Sequence, residues 1–166
     1  MLTNFDLERV SKQLGLPIVG VFSKDELLGI DHEVGSYYIN IQSAKDGDGT
    51  HWVLAKIYCD EDREENKVRA EGDKICEALY FDPFGIDMPK EVRAFLKPYA
   101  PIPWNNRQIQ SINTSECGWY CLYCDYYLEN ETTSKRTVDD FNKFINSWDS
   151  NPIQNLRLLR KRLKAI

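Results

Sequence analysis

Between Asp60 and Lys74 the chain is almost wholly charged, and on either side lies a run rich in apolar residues, Thr50 to Tyr58 and Ile75 to Phe81. So polar a stretch has too little apolar surface to be buried, which predicts the long exposed tip of a hairpin whose arms are those two runs. Pro17 to Phe22 and Tyr37 to Ile41 read as further strands, and Asp46-Gly47-Asp48-Gly49 supplies a turn before Thr50. Helical spacing surrounds this block. Leu7, Val10 and Leu14 recur on one face from Asn4 to Leu14, with Gly15 just beyond. Pro89 to Tyr99, Glu116 to Leu128, Val138 to Trp148 and Pro152 to Lys164 also fit helices, the second of these preceded by the capping candidates Asn113, Thr114 and Ser115. Trp104 to Ile112 reads as extended. The expected class is α+β: one domain over 1-166, a mostly antiparallel central sheet flanked by helices, and a basic C-terminal helix at 152-166.

With 166 residues and 42% apolar content the chain is suited to a single core. No run approaches the roughly 18 apolar residues of a membrane helix, and the polar N-terminus does not read as a leader. The net charge of -5 argues against bulk attraction to nucleic acid, yet Arg157, Arg160, Lys161, Arg162 and Lys164 follow one another without an acid. That reads first as the solvated face of a terminal helix and second as a docking surface. Five cysteines are an odd number in a chain that needs no disulfide framework, so free thiols and a reducing compartment are expected; pairing of Cys59 with Cys76 across the hairpin is the alternative.

Chemistry concentrates at four places. Cys117-Gly118 stands where a polar loop becomes an apolar helix, and a helix N-terminus with a neighbouring imidazolium is what turns a thiol into a nucleophile. Gly118 would let a substrate backbone approach. Of the two histidines, His51 opens a strand on the same face as Val53, Ala55 and Ile57, while His32 sits in an Asp-His-Glu context and reads as a surface residue. Asp82 ends an apolar strand before Pro83-Phe84-Gly85, either as an orienting acid or as an ordinary turn-initiating residue. Cys117, Cys121 and Cys124 share a helical face, but no histidine completes a metal set, and cysteines inside a helix behave as small hydrophobes.

Thr50-His51-Trp52, Tyr80-Phe81-Asp82-Pro83-Phe84-Gly85, Gln110-Ser111 and Ser115-Glu116-Cys117-Gly118-Trp119-Tyr120-Cys121 together resemble, in content and order, the adenovirus-type maturation proteases (adenain) and their relatives in virophages and polinton-like elements. Leu14-Gly15, Val19-Gly20-Val21-Phe22 and Gly29-Ile30 extend the resemblance over about residues 5-130. It implies the adenain-like fold that ubiquitin-like-modifier proteases share, with Cys117 as nucleophile, His51 as general base and then acid, Asp82 as the third member where adenoviral enzymes have Glu, and Gln110 as oxyanion-hole amide. Trp52 corresponds to the aromatic beside the family's histidine, near the substrate cleft or packed below it. The implied reaction is acyl transfer through a thioester, with no metal or organic cofactor. Implied substrates are capsid and other virion precursors, cleaved by a monomer in the virion and the host cytoplasm.

The chain departs from that family in three ways. The spacing from His51 to Asp82 is longer, by the charged stretch. No cysteine lies between Cys76 and Cys117 to hold a disulfide-linked activating peptide. The family's basic charge is absent, which leaves the C-terminal helix as the concentrated surface for nucleic acid contact. Two alternatives stand beside the protease of virion precursors. One is a deconjugating protease for ubiquitin-like modifiers, against which Pro83 after the acid and Glu116 before the cysteine both lean. The other is a catalytically silent binding module.

Overall fold

A computed structural model describes residues 1-42, 51-61, 74-132 and 134-166. The Asp46 to Gly49 turn and nearly all of the charged stretch expected to tip the hairpin lie outside these.

Helix α1 (Asn4–Gln13) starts where Thr3 and Asp6 satisfy each other's backbone N-H groups, a reciprocal cap. Strands β1 (Ile18–Ser23), β2 (Gly35–Asn40), β3 (Trp52–Glu61) and β4 (Lys74–Phe81) form one sheet in the order β1-β2-β3-β4. β1 runs parallel to β2, and the other two pairings are antiparallel, so the sheet is mostly antiparallel as expected. Helices α2 (Lys90–Leu96), α3 (Cys117–Asn130), α4 (Thr137–Asn146) and α5 (Pro152–Lys164) complete the α+β architecture.

Strand alternation divides the core in two. Val53, Ala55 and Ile57 of β3, with Tyr37, Ile39, Ala78 and Tyr80 of its neighbours, pack against Val92, Phe95 and Leu96 of α2. Trp52, Leu54 and Tyr58, with Tyr38, Leu79 and Phe81, meet Leu7 of α1 and the apolar residues of α3, α4 and α5. Covered on both faces, β2 is buried along its whole length. Helix α3 is apolar on nearly every side because it runs through the middle of the second layer, which is the burial such a helix requires.

Lys56 shares the face of Leu54 and Tyr58 and is only 3% exposed. A charge placed there needs partners, and α3 supplies them. The Lys56 ammonium donates to Asp125 Oδ1 at 2.7 Å, Glu129 Oε1 at 2.6 Å and Ser36 Oγ at 3.1 Å, while Asp125 also accepts from Ser36 Oγ and Tyr38 Oη. Their charges outweigh the burial that opposes an ammonium and leave the Lys56 pKa raised. The network ties β2 and β3 to the helix that begins at Cys117.

Two expectations are corrected. Cys59 and Cys76 face each other in the β3-β4 register and form a disulfide, so not all five thiols are free, and the expected reducing compartment loses that support. The segment from Trp104 to Ile112 is not a strand beyond one bridge between Trp104 and Tyr80. Its polar groups are used in tying down a loop: Arg107 donates to the carbonyls of Ile145, Trp148 and Asp149 at the end of α4, and the Asn155 amide of α5 donates to Ile109 O.

The basic helix is half structural. Arg162 stacks over Trp148 at 4.3 Å and donates to Ser147, which leaves Arg157, Arg160, Lys161 and Lys164 around an open groove with Ile153 and Leu156.

Candidate active site

His51 precedes β3, Asp82 follows β4, and Leu54 of the first strand pairs with Phe81 of the second, so sheet register alone brings the ring and the carboxylate to one end of the sheet. His51 Nε2 lies 2.6 Å from Asp82 Oδ1. The side chains are 7% and 1% exposed, so the contact is shielded from water and from salt. Asp82 also begins a tight turn: Oδ1 accepts the Phe84 N-H at 2.8 Å, and Asp82 O accepts the Gly85 N-H at 2.8 Å. The carboxylate that shapes the turn is thus the one that touches the imidazole.

Two neighbours fix this pair further, and neither was legible in sequence. The Phe84 ring stacks on the His51 ring, centroids 4.1 Å apart and planes 7° from parallel. Asn105, buried, accepts the Asp82 N-H at 2.9 Å through Oδ1 and donates through Nδ2 to Asp82 O and to Arg107 O. Asn105 lies in a loop with no periodicity, so only folding shows what it clasps.

Cys117 is the first residue of α3, buried against the start of β3. Its sulfur accepts the Trp52 backbone N-H at 3.4 Å, and no side chain caps the helix end. Glu116, rather than the three candidates before it, occupies the cap position. His51 Nδ1 is buried without a hydrogen bond among the described residues.

Burial is the largest influence on His51 and disfavours the imidazolium. The Asp82 hydrogen bond, the nearby Cys117 thiol and the charges of both overcome it, lifting the pKa from 6.5 to about 9. By contrast burial pushes the Cys121 and Cys124 thiols well up, so neither competes as a thiolate.

Trp52 is buried, with its indole N-H donating to Leu2 O at 2.9 Å. A Cβ on Gly118 would meet Leu2 and Leu7 at 3.1–3.3 Å, so the N-terminal segment, rather than open space, lies beside that position. Gln110 is fully buried, its amide Nε2 donating to Thr114 O at 3.1 Å and Thr114 Oγ1 at 3.0 Å. The turn after Asp82 places it: Pro83 O accepts the backbone N-H groups of both Ile109 and Gln110, at 2.9 and 2.8 Å. His32 is exposed and packs on Phe95 and Tyr99, away from these residues in sequence and role. No cluster of metal-ligating side chains occurs among the described residues, and no helix of the described residues is long and apolar enough to cross a membrane.

No family model matches the chain, and no curated protein does. Among solved structures, the crystal structure of the ASFV pS273R protease aligns with a TM-score of 0.49 at 17% identity, over 87% of this chain and 66% of that one. Its selenomethionine form aligns with a TM-score of 0.46 at 16% identity over the same shares. The chain thus spans 66% of that protein's length.

The arrangement carries a pH signature. If a His51 imidazolium must give its proton to a departing amine, kcat/KM holds through neutral pH and falls as pH rises through about 9, where the ring loses that proton. Because the folded pKa lies above the ordinary one, the stability His51 contributes is complete below about 6.5 and lost as pH rises through about 9. A pH-rate profile whose alkaline limb stood near 6.5 would contradict the raised imidazole.

Proposed function

We propose that the protein is a cysteine endopeptidase of viral type that cleaves capsid and other virion precursor proteins. The observation that carries this reading is the buried contact of His51 with Asp82 beside a cysteine at the start of a helix. In it, Cys117 attacks the peptide carbonyl as thiolate, forming the carbon-sulfur bond of a tetrahedral intermediate. His51, holding the proton taken from sulfur, delivers it to the amine as the carbon-nitrogen bond breaks. Water, deprotonated by the same ring, then hydrolyses the thioester. Asp82 keeps the ring oriented and offsets its charge. The Cys117 backbone N-H and the Gln110 amide receive the oxyanion. The ordered motifs shared with adenovirus-type maturation proteases support the choice of substrate class.

The test is to incubate the purified chain with virion structural precursors and with ubiquitin-like proteins extended beyond Gly-Gly, and to map new termini by mass spectrometry. Discrete cuts in the precursors, next to small residues, are expected. Efficient processing after Gly-Gly with the precursors left whole would assign the site to deconjugation instead.

A further inference from the structure

Phe84 belongs to neither layer of the core. It is half-buried, it joins neither apolar cluster, and the aromatic ring it meets among the described residues is the imidazole of His51, centroids 4.1 Å apart and planes 7° from parallel. A phenylalanine kept for stability sinks its ring among apolar side chains. This one lays a face on a titratable ring at the end of the sheet. Its backbone serves the same pair, because the Phe84 N-H donates at 2.8 Å to Asp82 Oδ1, the oxygen that also meets His51 Nε2 at 2.6 Å.

The contact with Asp82 leaves one freedom of the imidazole open. In histidine, Nε2 lies close to the line continued from the Cβ-Cγ bond, whereas Nδ1 stands further to one side. Twisting the ring about that bond therefore swings Nδ1 while moving Nε2 little, and this torsion is intrinsically broad. The stacked Phe84 ring closes that freedom, since parallel planes in contact cannot twist without driving an edge of one into the face of the other. The direction of Nδ1 matters because Nε2 is taken by Asp82 and the Cys117 sulfur is close. That sulfur lies 3.4 Å from the Trp52 amide nitrogen, next in the chain to His51, and it acts on the imidazole. The face of a phenyl ring is also its negative side, which favours an imidazolium lying over it.

We propose that Phe84 is a positioning residue for the reaction: its ring holds the plane of the His51 imidazole, so that the nitrogen not bound to Asp82 stays turned to the Cys117 sulfur. This rests on the cysteine-protease reading above. Phe84 exchanges no proton and acts through His51 alone. Phe84→Leu keeps an apolar side chain and the backbone N-H but removes the flat face, whereas Phe84→Tyr keeps both the face and the N-H.

The test is kinetics on a peptide substrate beside two measurements that need no substrate. One is the rate of Cys117 alkylation by iodoacetamide, which reports proton transfer from sulfur; the other is the downfield proton NMR signal of the short bond between His51 and Asp82. Phe84→Leu should lower kcat about fivefold or more with KM within about twofold, and slow alkylation at neutral pH by a similar factor. The downfield signal should remain, since Nε2 hardly moves, and the melting temperature should fall by no more than about 4 °C, as for a side chain outside the core. Phe84→Tyr should return kcat and alkylation to within about twofold of wild type. Wild-type kcat in Phe84→Leu would overturn the proposal. So would loss of the downfield signal, which routes the effect through Asp82, a raised KM at full kcat, which makes Phe84 a wall for substrate, or an unrescued Phe84→Tyr. A wild-type protein whose Cys117 is alkylated rapidly, and more slowly in Phe84→Leu, yet which cleaves no peptide would instead overturn the protease reading and leave the ring clamp standing.

Discussion

Replacing Cys117 with alanine should reduce cleavage by at least about 10⁴-fold while leaving the protein folded. The expected loss is this large because nothing else in the chain can take over. Cys59 and Cys76 are joined to each other, and burial holds the Cys121 and Cys124 thiols well above their ordinary range. The fold should tolerate the change, since the sulfur makes one 3.4 Å contact with the Trp52 N-H and deleting one small atom from the core costs on the order of 1 kcal/mol. Kinetics on a fluorogenic peptide and a thermal melt, run together, make the check. A Cys117→Ala protein that cleaves at more than a percent of the wild-type rate would move the chemistry elsewhere. Native alkylation followed by peptide mapping adds a second reading, with Cys117 as the expected site of modification.

What could be read in the sequence was what depends on local order. Helix α5 begins and ends where its proline and its basic residues put it, and β3 and β4 emerge at the two arms flanking the charged stretch. His51, Asp82, Cys117 and Gln110 each stand at the end of an element or in a turn, and such junctions leave punctuation in a sequence: Asp-Pro, Cys-Gly, a polar run before an apolar helix. Strand register then brings the first two together.

What was not legible depends on through-space pairing. The sequence offers Cys59 with Cys76 only as an alternative, and a register of eight aligned pairs is what sets the two opposite each other. Asn105, Phe84, Leu2 and Thr114 act on Asp82, His51, Trp52 and Gln110 across loops whose path no periodicity encodes. Thr114 illustrates the difficulty. A threonine three residues before a helix reads as a capping residue, and its hydroxyl is instead spent within the turn that holds Gln110. The loop from 104 to 112 looked extended for the same reason, because its donors and acceptors are satisfied by particular carbonyls rather than by a neighbouring strand.

The largest expected effect outside the reacting groups lies at Gly85. Its backbone has φ +70°, and a Cβ there would stand 2.4 Å from the carbonyl carbon and oxygen of Arg107 and 2.6 Å from Gln108 N. Those atoms are backbone and cannot swing aside as a side-chain tip can. Arg107 is itself held by three carbonyls at the end of α4, so the loop resists displacement. Gly85→Ala must therefore either strain the turn or push the 107–110 loop away, and both reach the site. Straining the turn disturbs the Asp82 carboxylate that accepts the Phe84 N-H. Moving the loop breaks the bonds from Ile109 and Gln110 to Pro83 O. The left-handed conformation costs about 1–2 kcal/mol with a side chain, and the overlap brings the expected destabilisation to about 3 kcal/mol or more. A melting temperature lower by several degrees and a kcat lower by at least about tenfold should appear together, whereas Ile86→Ala, one residue on at an exposed position, should leave the melt unchanged. If Gly85→Ala melted and turned over like the wild type, the turn would not be the link between Asp82 and Gln110. If it lost stability but kept full kcat, Gln110 would hold its place without the turn, through Thr114 and the Arg107 and Asn155 bonds to its loop.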